Sequence, residues 1–509
     1  MGAARIDADL LLGIAGCGVM GRSIAQIALQ SGVRVRMYDA RAGAAREAEA
    51  ALAGYFERMV QRGRMAADAA RACRERLQAV AELTELAPCT LIIEAITEQL
   101  DAKCALFAAL EPLVAPNCVF ASNTSSLSIT TIASASRLHE RLGGLHFFNP
   151  IAQSKLVEVV SGLHTSANTS DSLVAFGERL GLRAVRAKDA PGFIVNHAGR
   201  AYLTEALRCL DESIADYQTL DRILREGAGF RLGPFETLDQ TGLDVAQGLT
   251  ESIYRQFYED PRLRPSQTAA QRVAAGLTGR KAGRGFYDYS VNASPLLEPE
   301  PPVPTELPSK VWVSLDDAYL GTACRELVLQ LGGKLDPGLY PANDALCVVT
   351  PLGEDVTTCA LRQRLPGPHT VALDMLFGPT KRRTLMASPA TTPAMRRAAH
   401  GLFGADGVPV ALIRDSAGFV AQRVVACIVN TASDIAQRGI AEPADIDDAV
   451  RLALGYPRGP LAWGDELGPM VVLRILENLQ AVLGDPRYRP SPWLRRRARL
   501  GLSLLARED

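Results

Sequence analysis

Residues 10–190 alternate short apolar runs with stretches of helical period. The runs are 11–16 (LLGIAG), 33–39 (VRVRMYD), 90–96 (TLIIEAI), 117–123 (NCVFASN) and 141–148 (RLGGLHFF). Short β-rich runs separated by helical patterns predict a mostly parallel sheet with helices on both faces. An Ala/Arg/Glu-rich excursion of helical period, residues 41–80, exceeds what a plain crossover needs. Beyond residues 188–196 (KDAPGFIVN) the pattern is helical to about residue 275. Residues 290–309 are proline-rich, which predicts an extended linker with little structure.

A second block follows, and it repeats the first. A constant shift of 226 residues carries Asp189, Gly192 and Phe193 onto Asp415, Gly418 and Phe419. The same shift carries Asp221 to Asp447, Gly229 to Gly455, Gly233 and Pro234 to Gly459 and Pro460, Asp239 to Asp465, and Gly242 to Gly468. This predicts a duplicated helical domain, with copies near 190–289 and 411–500. Residues 310–410 then read as a remnant of the first sheet domain, with KVWVSLDD as its first strand and no glycine-rich turn after it. The expected organisation is a sheet domain over 1–188, a helical domain over 189–289, a linker over 290–309, a degenerate sheet segment over 310–410 and a second helical copy over 411–509.

Composition narrows the function classes. At 509 residues the chain is too long for one core, and a formal net charge of −1 favours neither nucleic acid nor an anionic membrane. No run of 18 apolar residues occurs, and MGAARIDADL lacks the apolar core of an export signal, so a cytoplasmic protein is expected. The ten cysteines are scattered without C-x-x-C pairs or metal-ligand spacing, which predicts free thiols and no metal site.

Gly16-Cys17-Gly18-Val19-Met20-Gly21 fits G-x-G-x-x-G between a strand and a helix, with Asp39 eighteen residues further on at the end of the next strand. In that context the motif predicts a Rossmann-type dinucleotide site. Gly16 allows the tight turn, Gly18 lets backbone approach a pyrophosphate, and Gly21 lets the helix pack close to the sheet. Backbone N–H groups of Val19 and Met20 then face the phosphates at the positive end of the helix dipole. Asp39 can accept hydrogen bonds from ribose hydroxyls and would repel a 2′-phosphate, which favours NAD over NADP. Arg41 argues the other way.

Four stretches speak to chemistry: 122–130 (SNTSSLSIT), 144–150 (GLHFFNP), 155–160 (KLVEVV) and 188–196 (KDAPGFIVN). Histidine exchanges a proton near neutral pH, so His146 at a strand end is a natural general base. A hairpin-like return would set the Glu158 carboxylate against its ring. Taken singly, each has a bland reading: a core histidine, a surface glutamate, a helix cap at Ser125, a turn residue at Asn196.

In order and spacing these four stretches resemble the L-3-hydroxyacyl-CoA dehydrogenase family, over about residues 10–289 and again, divergently, over 411–500. The length and duplication are similar to bacterial members acting on 3-hydroxybutyryl-CoA or, in phenylacetate breakdown, 3-hydroxyadipyl-CoA. The resemblance implies an α/β Rossmann-type domain followed by an all-α domain, NAD as cofactor and an acyl-CoA substrate. It assigns the base and its brace to His146 and Glu158, and contacts with the reacting oxygen to Ser125 and Asn196. Glu98 and Lys103 match positions near the cofactor's ribose and nicotinamide end; read alone, they are two solvated helix residues five apart. Arg46, Arg58, Arg62 and Arg64 on the 41–80 arm could meet CoA phosphates, but a charged helix is more often a solvated face, and that reading is favoured; Arg200 and His197 are candidates for an ω-carboxylate. Two alternatives stay open: a dehydrogenase of a non-CoA hydroxy acid, and a catalytically silent NAD-binding scaffold.

The second half loses the chemistry. Gln422 stands where Asn196 maps, and Asp374, in TVALDMLFGP, stands in the place of His146. One active site per chain is therefore expected. The two helical copies are expected either to pair internally, in place of a partner chain, or to leave the chain a homo-oligomer.

Overall fold

The computed structural model describes residues 10–290 and 297–508. The export reading of the N-terminus and part of the linker fall outside them. No described helix is long and apolar enough to cross a membrane. The chain divides into two compact units: Met1–His197 with Arg438–Leu454, and Ala198–Gln437 with Gly455–Asp509.

The first unit is built on eight strands: β1 (Leu11–Ala15), β2 (Arg34–Tyr38), β3 (Leu77–Ala79), β4 (Leu91–Glu94), β5 (Val119–Ser122), β6 (Leu142–Phe147), β7 (Leu156–Ser161) and β8 (Arg183–Lys188). Their order is β3-β2-β1-β4-β5-β6-β7-β8. Every pair is parallel except β6–β7, which is antiparallel and sets His146 directly opposite Glu158. Strands β4 and β6 are buried at every position, as parallel strands covered on both faces must be, and so they read as apolar runs. Strand β7 is the hairpin-like return at KLVEVV; the two strands with no sign in the sequence reading are the edges, β3 and β8. Strand β3 has three residues, and β8 (RAVRAK) alternates buried Ala and Val with exposed basic side chains, a common way to blunt an edge. The 41–80 arm forms the helices Ala44–Gln61 and Ala67–Glu75 before reaching β3.

The outer edge of β8 is covered from far along the chain. Lys188 N–H donates to Ile440 O (2.8 Å), and Arg183 pairs with Asp445 (2.6 Å) and Asp448 (3.0 Å) on the helix Pro443–Leu454. A piece of the second helical copy thus belongs to the first unit.

The second unit carries β9 (Val311–Val313), β10 (Leu346–Val349), β11 (Thr370–Leu373), β12 (Arg383–Ala387) and β13 (Val410–Arg414), in the order β13-β12-β11-β10-β9. Only β11–β12 is antiparallel, as β6–β7 is. The helix Val356–Gln363 follows β10 as Ile129–Ala133 follows β5, so β10 repeats β5 and β9 repeats β4. KVWVSLDD is therefore not the counterpart of β1. Strands β1 to β3, and the glycine turn with them, have no counterpart in this sheet, which is why no glycine motif follows β9. The edge strand β13 is held as β8 is: Arg414 N–H donates to Ile214 O (3.0 Å), the 226-residue equivalent of the Lys188–Ile440 bond.

The repeated positions turn out to be architectural. Asp189 accepts from Ser128 Oγ (2.7 Å) and from Ile129 and Thr130 N–H, while Asp415 accepts from Val356 (2.7 Å) and Thr357 N–H. Each satisfies orphan donors at a helix start. Asp239 accepts from Phe286 and Tyr287 N–H (2.9 and 2.8 Å), and Asp465 from Leu504 N–H (2.7 Å).

Within the second unit the helices Arg200–Asp211 and Ala421–Gln437 pack on each other. Arg423 is fully buried there between Glu205 (3.1 Å) and Glu212 (2.7 Å) and donates to Tyr488 Oη, while Arg487 takes the other oxygen of Glu205 (2.6 Å). Residues 297–309 form no helix or strand, yet they are tied down: Gln218 accepts from Glu298 N–H (2.9 Å) and Arg382 pairs with Glu300 (2.6 Å).

Candidate active site

Strand β1 runs straight into the glycine turn. A Cβ on Gly16 would lie 2.4 Å from Ala95 O, and one on Gly21 would lie 1.9 Å from Gly16 O, so both positions demand glycine. A Cβ on Gly18 would meet nothing within 4 Å. It would project into open space at the start of the helix Val19–Gln30, whose N-terminus no side chain caps. That is the cradle a pyrophosphate needs, with the N–H groups around Val19 and Met20 at its floor. Asp39 braces the turn, accepting from Cys17 N–H (2.8 Å) and Arg41 N–H (2.9 Å). Arg41 itself is paired with Glu47 (2.5 Å), which turns it toward the helix Ala44–Gln61 and weakens the case for a 2′-phosphate. Burial, then the charge of Asp39, pushes the Cys17 thiol up to about 12, so it stays protonated and inert.

The antiparallel return from β6 to β7 makes the second cluster. His146 Nδ1 lies 2.6 Å from Glu158 Oε2, with both side chains buried. The other Glu158 oxygen accepts from Ile194 and Val195 N–H, each at 2.9 Å. Those two N–H groups follow the turn at Gly192 (φ 75°) and Phe193 (φ 49°), which reverses the chain toward β7. An ionised carboxylate acts only as an acceptor, so a neutral ring bonded to it takes the tautomer with the hydrogen on Nδ1 and the lone pair on Nε2. Phe148 and Phe193 flank the ring, with centroids 4.3 and 5.7 Å away.

Ser125 and Asn196 come together in the same unit: Asn196 Nδ2 donates to Ser125 O (3.4 Å). Ser125 does not cap the following helix; Ser128 does. The Ser125 loop is gathered by Glu98 Oε1, which accepts from Thr124 Oγ1 (2.6 Å), Ser125 N–H (2.9 Å), Ser126 N–H (3.1 Å) and Ser126 Oγ (2.9 Å). Burial pushes the Glu98 carboxyl up, but these bonds and Lys103 outweigh it and hold the group below the usual carboxylate range. Lys103 is 1 % exposed, so it is no solvated helix residue; its ammonium sits between Glu98 (3.2 Å) and Glu94 (2.6 Å). Glu94 is missing from the sequence reading, where Ser122 appears only as the first residue of SNTSSLSIT, although an acid at the end of the apolar run LIIE is a visible signal.

Other candidates are placed as follows. Arg46, Arg58, Arg62 and Arg64 are exposed on the arm. Arg200 is buried in the second unit, where it donates to Thr250 Oγ1 (2.9 Å); burial brings it down to about 10. His197 is buried.

In the second sheet Asp374 N–H bonds Thr384 O, so Asp374 and Thr384 take the opposed places that His146 and Glu158 hold in the first. Asp374 Oδ1 accepts from Gln422 Nε2 (3.0 Å) and from Leu376 and Phe377 N–H, and Gln422 Oε1 accepts from Gly353 N–H (3.0 Å). The two positions equivalent to His146 and Asn196 thus bond one another here. Asp374 Oδ2 is buried without a hydrogen-bond partner, and burial pushes the carboxyl up to about 6. The unfolded chain therefore gives up this proton first, and Asp374 removes stability progressively as pH rises from about 4 past 6. Asp374→Asn abolishes that loss. By differential scanning fluorimetry the variant melts above the unaltered chain at pH 8, by roughly 2–3 kcal/mol of stability at most, and the gap narrows by about half at pH 5. A gap that does not change with pH contradicts this assignment.

Residues 11–190 match the family model described as 3-hydroxyacyl-CoA dehydrogenase, NAD binding domain, and residues 192–289 and 418–504 match its C-terminal domain. The chain is 37 % identical over 487 residues to 3-hydroxyadipyl-CoA dehydrogenase of Escherichia coli, covering 96 % of this chain and 97 % of that protein. It is 38 % identical over 284 residues to the human mitochondrial hydroxyacyl-coenzyme A dehydrogenase, covering 54 % of this chain and 90 % of that one. A crystal structure described as 3-hydroxybutyryl-CoA dehydrogenase from Escherichia coli superposes with a TM-score of 0.83 at 36 % identity, over 96 % of this chain and 98 % of the other. With two copies of the C-terminal domain behind one NAD-binding domain, the chain belongs to the 3-hydroxyacyl-CoA dehydrogenase family of NAD-dependent oxidoreductases.

Proposed function

We propose that the chain oxidises a short L-3-hydroxyacyl-CoA, either 3-hydroxybutyryl-CoA or its ω-carboxylated homologue 3-hydroxyadipyl-CoA, with His146 as the base. The observation that carries this reading is the 2.6 Å bond from His146 Nδ1 to Glu158, which leaves Nε2 as the acceptor. When bound, NAD supplies the hydride acceptor. Nε2 takes the hydroxyl proton as the C3 hydride leaves, and Glu158 stabilises the imidazolium that results. Ser125 and Asn196 donate hydrogen bonds to the reacting oxygen as it changes from alcohol to carbonyl. The glycine turn and Asp39 orient the dinucleotide. The reverse reaction returns the proton from His146 to the same oxygen.

The substrate range rests on a relative and a solved structure, both from Escherichia coli and each covering 96 % of this chain, one described by each of these acyl groups. The packing of helix Arg200–Asp211 on Ala421–Gln437 supports internal pairing of the copies over a partner chain. A panel of C4, C8 and C16 hydroxyacyl-CoA, 3-hydroxyadipyl-CoA and free 3-hydroxybutyrate tests the substrate, read as NADH absorbance. The C4 or the adipyl thioester is expected to exceed C16 by at least about tenfold in kcat/KM, which is some 1.4 kcal/mol of transition-state discrimination. The free acid is expected to turn over negligibly. Preference for C16, or equal use of the free acid, overturns the assignment.

A further inference from the structure

The sequence 122–126 is gripped from below by a charge that nothing described so far explains. Glu94 closes β4 after three apolar residues and is fully buried. A buried carboxylate is costly unless its charge and lone pairs are met. Here they are: Oε1 accepts from Lys103 Nζ (2.6 Å) and Ile96 N–H (2.7 Å), and Oε2 from Ser122 Oγ (2.5 Å). Lys103, equally buried, spans from Glu94 to Glu98. Glu98, with its side chain 38 % exposed, gathers the loop that carries Ser125. Glu94 therefore holds this segment twice, directly at Ser122 and through Lys103 and Glu98 at residues 124–126.

A stabilising role alone does not account for this. Buried ion pairs are commonly replaced by apolar residues of similar volume at no loss of stability. What an apolar pair could not do is present an ammonium to Glu98 at a fixed point. We propose that Glu94 is a positioning residue for the dehydrogenase reaction: its buried carboxylate fixes the Lys103 ammonium against Glu98, and so fixes the loop on which Ser125 meets the reacting oxygen. This rests on the site reading above.

The test uses the full chain. Glu94→Gln keeps the shape and removes the charge. It is expected to lower kcat about tenfold or more at saturating NAD and acyl-CoA, with KM for NAD changed less than about twofold. The loss is coupled to Ser125: Ser125→Ala costs the unaltered enzyme a given factor in kcat, and costs the Glu94→Gln enzyme less than a third of that factor. If Glu94→Gln does not fold, Ser122→Ala, which removes the direct tie from Glu94 Oε2 to the segment and leaves Lys103 in place, is read for kcat and for the same coupling. A kcat within twofold of the unaltered enzyme, or a loss that simply multiplies with that of Ser125→Ala, overturns the proposal. His146→Gln separates the two failures. If it is inactive while the Glu94 variants are normal, only the positioning role falls; if it is active, the site reading falls first.

Discussion

His146→Gln lowers kcat on the order of 10³-fold while NADH binds with a Kd within about twofold of the unaltered enzyme. Glutamine fills a similar volume, and its amide can still donate to Glu158 Oε2 where the ring now does. It cannot take a proton at working pH. The alcohol must then lose its proton to water in a site flanked by Phe148 and Phe193, and the barrier rises by about 4 kcal/mol. The dinucleotide cradle proposed at Gly16, Gly18 and Gly21 belongs to a different turn, after β1, so cofactor affinity is expected to be spared. Stopped-flow absorbance for the chemical step and fluorescence titration of NADH read the two effects separately. Full activity in His146→Gln would remove the proposed base.

Glu158→Gln produces a loss of similar size for a different reason. The glutamine carbonyl can keep the N–H groups of Ile194 and Val195, so the turn after β8 and the β6–β7 register stay in place. Its NH₂ then faces His146 Nδ1 and donates to it. The ring is driven to the tautomer with its hydrogen on Nε2, the nitrogen proposed to accept the substrate's proton. Inverting the tautomer of a base in this way costs about 10⁴-fold in a serine-protease triad. Here the loss is expected between roughly 10³- and 10⁴-fold in kcat, with circular dichroism unchanged. A loss under tenfold would mean that Glu158 does not set the tautomer.

Much of this architecture was legible from the chain. The glycine turn, Asp39 and the strands β1, β2 and β4 to β7 announce themselves because buried parallel strands are nearly continuous apolar runs. Strand β8 does not, since RAVRAK mixes charge into an edge strand, and three-residue β3 is too short to show a period. KVWVSLDD reads as a strand, but only sheet order reveals that it repeats β4 and not β1. The 226-residue shift exposes Asp189 and Asp415 as paired positions, yet their shared task, capping the helix after β5 and after β10, needs coordinates. Connectivity says nothing about the segment 438–454 joining the first unit. His146 and Glu158 were readable because a two-strand return brings positions twelve residues apart face to face. Glu94 was overlooked because its partner Lys103 lies across a strand-to-helix turn, where no fixed period links them.

The central claim is that His146 and Glu158 act as a single base, and a double-mutant cycle on kcat tests it most directly. If the pair is one unit, His146→Gln/Glu158→Gln loses no more than about threefold beyond His146→Gln alone, because a brace without a base has nothing to orient. If the two losses multiply, each residue acts on its own and the account is contradicted.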